Sequence, residues 1–88
     1  MTATEFNEKY NEYLEEGHYG LDIDNTSVVE YLDKIFEGLI KIPGFQYSQI
    51  KMKWDSCRFY STLSQILPEI GSKIDREIER DITLCLKY

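Results

Sequence analysis

Asp22 and Asp24, in the run Gly20-Leu-Asp-Ile-Asp-Asn-Thr26, have residue types and a spacing that could do chemistry. D-x-D-x-T is the arrangement of a phosphatase nucleophile. That use requires an apolar parallel strand to deliver the acids. It also requires a Rossmann-like sheet and downstream Ser/Thr, Lys and acidic groups to hold phosphate and magnesium. The residues before Asp22 are Gly17, His18, Tyr19, Gly20 and Leu21, which do not spell a buried strand. A parallel sheet is not expected in 88 residues that also carry three helices. A calcium loop of EF-hand type wants Gly at its sixth position and Glu at its twelfth, and here these are Ser27 and Asp33. What remains is helix electrostatics: acids just before a helix N-terminus offset its partial positive charge.

Other catalytic sets are equally thin. His18 is the single histidine, so neither a Ser-His-Asp relay nor a zinc site has its partners. The two cysteines, Cys57 and Cys85, are too few and too far apart for a disulfide framework or a zinc quartet, and they are expected to be free, half-buried thiols. No Gly-rich phosphate loop is present. The expectation is a protein that is not an enzyme and that carries no metal and no cofactor.

A different kind of site lies in Gln49-Ile-Lys-Met-Lys-Trp-Asp-Ser-Cys-Arg-Phe-Tyr60. Ile50, Met52 and Trp54 alternate with Gln49, Lys51 and Lys53. Cys57, Phe59 and Ser61 alternate with Arg58, Tyr60 and Thr62. Period two on both sides of Asp55-Ser56 predicts a β-hairpin, with Trp54 opposite Cys57, Met52 opposite Phe59 and Lys53 opposite Arg58. One face is then apolar. The other collects Lys51, Lys53, Arg58 and Tyr60, with Tyr47 near its end. Cations interleaved with a ring suit a phosphate, a nucleotide or RNA. Alternatively, these cations face the protein's own acids. Like charges on neighbouring strands repel mildly, which calls for an anion nearby.

The elements that position these residues follow from periodicity. Thr2 and Glu5 form a capping box, and Phe6, Tyr10, Tyr13 and Leu14 share one helical face, so a first helix is expected over 3–16, stopped at Gly17. Residues 17–26 form a loop. Ser27 and Glu30 make a second capping box ahead of Val28, Val29, Leu32, Ile35, Phe36, Leu39 and Ile40, and Pro43-Gly44 ends that helix. Ile70, Ile74, Ile78, Ile82 and Cys85 lie on one stripe of a third helix over 69–86, with a break expected at Gly71. The order helix–helix–strand–strand–helix predicts an α+β fold: two N-terminal helices, a β-hairpin and a C-terminal helix packed on one face of the hairpin. Residues 1–88 are expected to form one small domain.

Charge is divided along the chain. The net charge is −6. Residues 1–40 hold ten acids against Lys9 and Lys34, whereas residues 41–88 hold six acids against eight bases. Such asymmetry sets a long-range field and selects partners. The apolar runs are too short to span a bilayer, and the polar, acidic start, Met1 to Tyr10, does not have the form of a secretory signal. A cytoplasmic location away from membranes is the default expectation.

The segment Gln49 to Tyr60 resembles the I-K-x-K-F-G-x-x-R-F-Y stretch of small bacteriophage and prophage proteins of unassigned function. Ile50, Lys51, Lys53, Arg58, Phe59 and Tyr60 match it, with Trp54 where Phe is usual and Asp55-Ser56 in place of the turn glycines. The resemblance implies an accessory protein acting in a host bacterial cytoplasm, one that binds and blocks a defence protein such as a CRISPR nuclease. Its acidic helical surface (Glu8, Glu12, Glu15, Glu16, Asp22 and Asp24, with Tyr19 as an aromatic anchor) would occupy a basic nucleic-acid groove on the host protein. The alternative is a nucleotide- or RNA-binding module, or a sponge for a signalling nucleotide, using Lys51, Lys53, Arg58 and Tyr60. Either form is expected to be a monomer or a small homo-oligomer.

Overall fold

In the computed structural model, which describes residues 1–87, the chain forms an α+β fold. The helices are α1 (Ala3–Lys9), α2 (Thr26–Leu39), α3 (Leu63–Ile66) and α4 (Gly71–Lys87), with a 3-10 turn at Asn11–Tyr13. The strands are β1 (Gly20–Asp22), β2 (Tyr47–Lys53) and β3 (Ser56–Ser61), in the spatial order β1-β2-β3. β2 and β3 are the antiparallel hairpin. β1 is parallel to β2, so β1, α2 and β2 make a crossover unit. This overturns the expectation that residues 17–26 are loop and that the chain holds no parallel pairing.

α1 starts as its capping box dictates: the Glu5 N–H donates to Thr2 Oγ1 (3.1 Å) and the Thr2 N–H donates to Glu5 Oε1 (2.8 Å). It ends at Lys9, well short of the expected residue 16. The reason is tertiary. Leu14 forms a parallel bridge with Tyr47, and the Glu15 N–H donates to the Tyr47 carbonyl (2.9 Å), so the chain leaves the helix to reach the sheet. α2 begins one residue before Ser27, because Asn25 is the cap: its side-chain oxygen accepts from the Val28 N–H (3.2 Å). The third helix expected over 69–86 is α4, which starts at Gly71, whereas the short α3 ahead of it was not expected. Gly71 joins them by passing so close to the Leu63 carbonyl that any Cβ there would overlap it. Ile70, expected on the buried stripe, is exposed.

The core lies between one sheet face and the helices. Val28, Val29, Leu32, Phe36 and Leu39 point inward from α2, and Ile78 and Ile82 from α4. They meet Leu21, Ile50, Cys57 and Phe59 from the sheet. Phe36 is the hub. The rings of Phe6, Tyr10, Phe45 and Tyr47 stand edge-on or tilted around it, at 4.9, 5.1, 5.4 and 5.0 Å between centroids, an arrangement that aromatic quadrupoles favour. An extra residue in β2, Ser48, bulges the ladder between Tyr47 and Gln49, so Tyr47 turns inward while Gln49 stays outward.

Side chains from helices close both sheet edges. At β1, the Asn7 side chain donates to the Leu21 carbonyl (3.0 Å) and accepts from the Leu21 N–H (2.8 Å), as a neighbouring strand would. At β3, α4 presents Asp75, Glu79 and Thr83 at four-residue intervals. Glu79 accepts from the Phe59 N–H (2.9 Å), Thr83 from the Cys57 N–H (3.0 Å), and Asp75 from the Ser61 hydroxyl (2.8 Å). Edges capped this way offer no template for another strand. None of the described helices is long and apolar enough to cross a membrane.

Candidate functional site

The sheet face opposite the core carries the cations. Register fixes its rows: Gly20–Gln49–Tyr60, then Asp22–Lys51–Arg58, then Lys53–Ser56. α1, α2 and α4 meet the sheet on its inner face or at its edges, through Phe6, Phe36, Asn7, Glu79 and Thr83, and leave this outer face open. Lys51 and Arg58 are partly exposed, and Lys53 and Tyr60 are exposed. The expected grouping of Lys51, Lys53, Arg58 and Tyr60 on one side of the hairpin is what the strands build. Among the described residues the ion pairs are Lys9–Asp33, His18–Glu15 and Arg80–Asp81. None involves Lys51, Lys53 or Arg58. The register neighbour Asp22 does not come within ion-pairing distance of Lys51, so among the described residues no acid forms an ion pair with these cations. Tyr47, placed near this set from sequence, is instead fully buried; its hydroxyl donates to Asn7 (3.1 Å), and burial pushes its pKa up to about 12.

The turn differs from the sequence expectation. The observed pairs are Lys51–Arg58, Met52–Cys57 and Lys53–Ser56, so the turn residues are Trp54-Asp55 rather than Asp55-Ser56. Lys53 faces Ser56, not Arg58. Trp54, expected inward opposite Cys57, is 91% exposed at the hairpin tip, with a left-handed φ of 61°. Alternation along the strands could not have distinguished the two registers. Both keep Ile50, Met52, Cys57 and Phe59 on one face, and they differ only in which two residues bend. The Asp-Ser dipeptide read as the turn carries no glycine and places Ser where positive φ is wanted, a local sign that the register was open.

The acids do not share one helical surface. Glu8 is on α1 and lines a shallow depression with Thr4, Asn7, Asn11 and Leu14. Glu12 is in the 3-10 turn. Glu15 and Glu16 lie in the turn that follows, closed by the His18 N–H donating to the Glu15 carbonyl (3.2 Å). Tyr19 stands 83% exposed just beyond it. Asp24 is exposed in the connection leading to the Asn25 cap. Asp22 ends β1 on the cationic face and belongs with Lys51, not with the other acids. The loop segment 15–19 and Asp24 thus present negative charge, but a helix does not organise it.

No catalytic constellation appears among the described residues. Cys57 is buried, and desolvation pushes its thiol pKa up to about 12, which keeps it protonated and unreactive. Tyr10 is likewise pushed up to about 12, by burial first and then by its 2.6 Å hydrogen bond to Asp33. Burial raises Tyr31, whose hydroxyl donates to Asp81 (2.6 Å) and ties α2 to α4. The two tyrosine hydroxyls join helical segments. The described residues contain no cluster of three or more His, Cys, Asp or Glu side chains placed to hold a metal ion. Comparison of the chain with protein-family models, with curated proteins and with solved structures finds no match.

Proposed function

We propose that the protein is a non-enzymatic binding module whose open sheet face takes a single-stranded nucleic acid or a nucleotide. The observation that supports this reading is the row of Lys51 and Arg58, directly opposed, flanked by Lys53 and Tyr60 on the face opposite the core, with none of these cations in an ion pair among the described residues. Placing two cations side by side costs stability, and a phosphate between them relieves it. Tyr60 and the Arg58 guanidinium offer stacking surfaces that accept any base. The net charge of −6 opposes nonspecific attachment to duplex, so affinity rests on local contacts rather than on a general field.

The test is fluorescence anisotropy of a labelled oligouridylate titrated with protein at several salt concentrations. Binding is expected to weaken with salt, with a logarithmic slope of about −0.7 for each phosphate contacted. Lys51→Ala or Arg58→Ala should each reduce that slope by about one contact. Absence of binding at low salt, or binding indifferent to both substitutions, refutes the reading.

The exposure of Tyr19 beside the Glu15–Glu16 turn favours a second reading. In it, residues 15–24 of a phage-type accessory protein engage the basic groove of a host defence protein in the bacterial cytoplasm, such as a CRISPR nuclease, and inhibit it. Retention of one basic nuclease from host lysate, abolished by Glu15→Lys with Glu16→Lys and unaffected by Lys51→Ala, is the result this reading requires.

A further inference from the structure

The hairpin tip carries a feature that folding alone does not explain. A two-residue hairpin turn selects Gly, Asn or Asp where φ is positive. Here Trp54 occupies that position at φ 61°, and its ring is 91% exposed. It takes part in none of the ring–ring or cation–ring contacts among the described residues. The backbone is strained and the largest side chain in the alphabet meets water, so burial repays neither. Such strain concentrates where a side chain is held ready for a ligand, and Trp is the residue most enriched at binding hot spots.

Its position relative to the cations gives this meaning. Outward rows along the hairpin repeat about every 6.8 Å, two residues of strand. Tyr60 stands in the first row, Lys51 and Arg58 in the second and Lys53 in the third, with Trp54 following at the end. An unstacked strand spans about twice the ~3.4 Å that each nucleotide occupies in a duplex strand, so successive phosphates and successive rows have matching spacing. We infer that Trp54 is the terminal stacking platform of a track along the hairpin that binds about three consecutive nucleotides of single-stranded nucleic acid, with Tyr60 at the other end and the cations between. This rests on the sheet-face reading and narrows it: the ligand is a strand rather than a mononucleotide signal.

The experiment displaces a labelled hexauridylate with unlabelled uridine monophosphate and with oligomers of two to six nucleotides, using wild type, Trp54→Gly, Trp54→Phe and Lys51→Ala. Trp54 is the single tryptophan of the chain, so its emission reports the tip directly. Affinity should climb from one nucleotide to three and then level. Trp54→Gly should weaken the trimer on the order of tenfold, as loss of one stacked base does. Trp54→Phe should recover most of the loss, and the trimer should quench Trp54 with the midpoint seen by displacement. Gly suits positive φ, so Trp54→Gly should fold, which its melting curve verifies. Trimer binding that is lost in Lys51→Ala but intact in Trp54→Gly overturns the role of Trp54 and leaves the sheet face standing. Failure of the hexamer to bind wild type removes the sheet face itself. A labelled polyglutamate peptide that quenches Trp54 as strongly as the trimer overturns the assignment to nucleic acid.

Discussion

Trp54 and Gly20 show how one backbone conformation can serve opposite ends. Both have positive φ, 61° and 75°. At Gly20 the absence of a side chain is structural: a Cβ would run into the Asn7 amide oxygen that caps β1. Gly20→Ala is therefore expected to cost about 2 kcal/mol or more, from αL strain and a displaced clamp, measured by chemical denaturation. At Trp54 nothing in the fold asks for the ring. Trp54→Gly should raise stability by about 1 kcal/mol, read as a gain in melting temperature alongside the weaker trimer binding expected above. Sequence reasoning identified the hairpin, its cations and its apolar face. It misplaced the tryptophan because strand alternation is blind to a register change that preserves faces, and the turn dipeptide Asp55-Ser56 offered no glycine to anchor the choice.

The hairpin, α2 and α4 were legible for a physical reason, since amphipathic faces such as Val28–Leu32–Phe36–Leu39 are local signals, whereas the four-residue α3 was too short to show one. β1 was not. Three residues, Gly20 to Asp22, cannot display an alternation, and their pairing with residues 49–51 is a contact across the crossover. The end of α1 was hidden likewise, since Leu14 is drawn to Tyr47 by tertiary contact. Side-chain clamps leave no local signature either, yet they finish the sheet. Asn7→Ala strips both bonds from Leu21 and one from Tyr47, with an expected loss of about 1–3 kcal/mol. Faster amide exchange at Leu21 would localise it. Thr83→Val leaves the Cys57 N–H without its acceptor and should cost a comparable amount. Light scattering should report self-association of these variants at concentrations where wild type scatters as a single species, because an uncapped edge is free to pair.

Across the whole molecule, Asp33 and Asp75 couple pH to stability with opposite signs. Hydrogen bonds from Lys9 (2.7 Å) and Tyr10 (2.6 Å) hold the Asp33 carboxyl below its ordinary range. Its contribution is present above the unfolded-state value and is lost as pH falls through the lower folded value. Asp75 is shifted the other way, chiefly by burial, against the helping bond from Ser61. The proton it retains favours the fold at low pH, and that contribution is lost as pH rises through its raised value. Denaturation series should therefore show the advantage of wild type over Asp33→Asn shrinking on acidification. The advantage of Asp75→Asn over wild type should grow on going from acid toward neutral pH.

Asp22 closes the cationic row on the β1 side, beside Lys51. A negative charge there acts as a kerb. On the proposed reading, a lone strand along β2 and β3 would lie beside this charge, whereas the wider, doubly charged backbone of a duplex would be repelled by it. Asp22→Asn should accordingly improve the hold on duplex RNA far more than on oligouridylate, so this one carboxylate would set the module's preference between paired and unpaired nucleic acid.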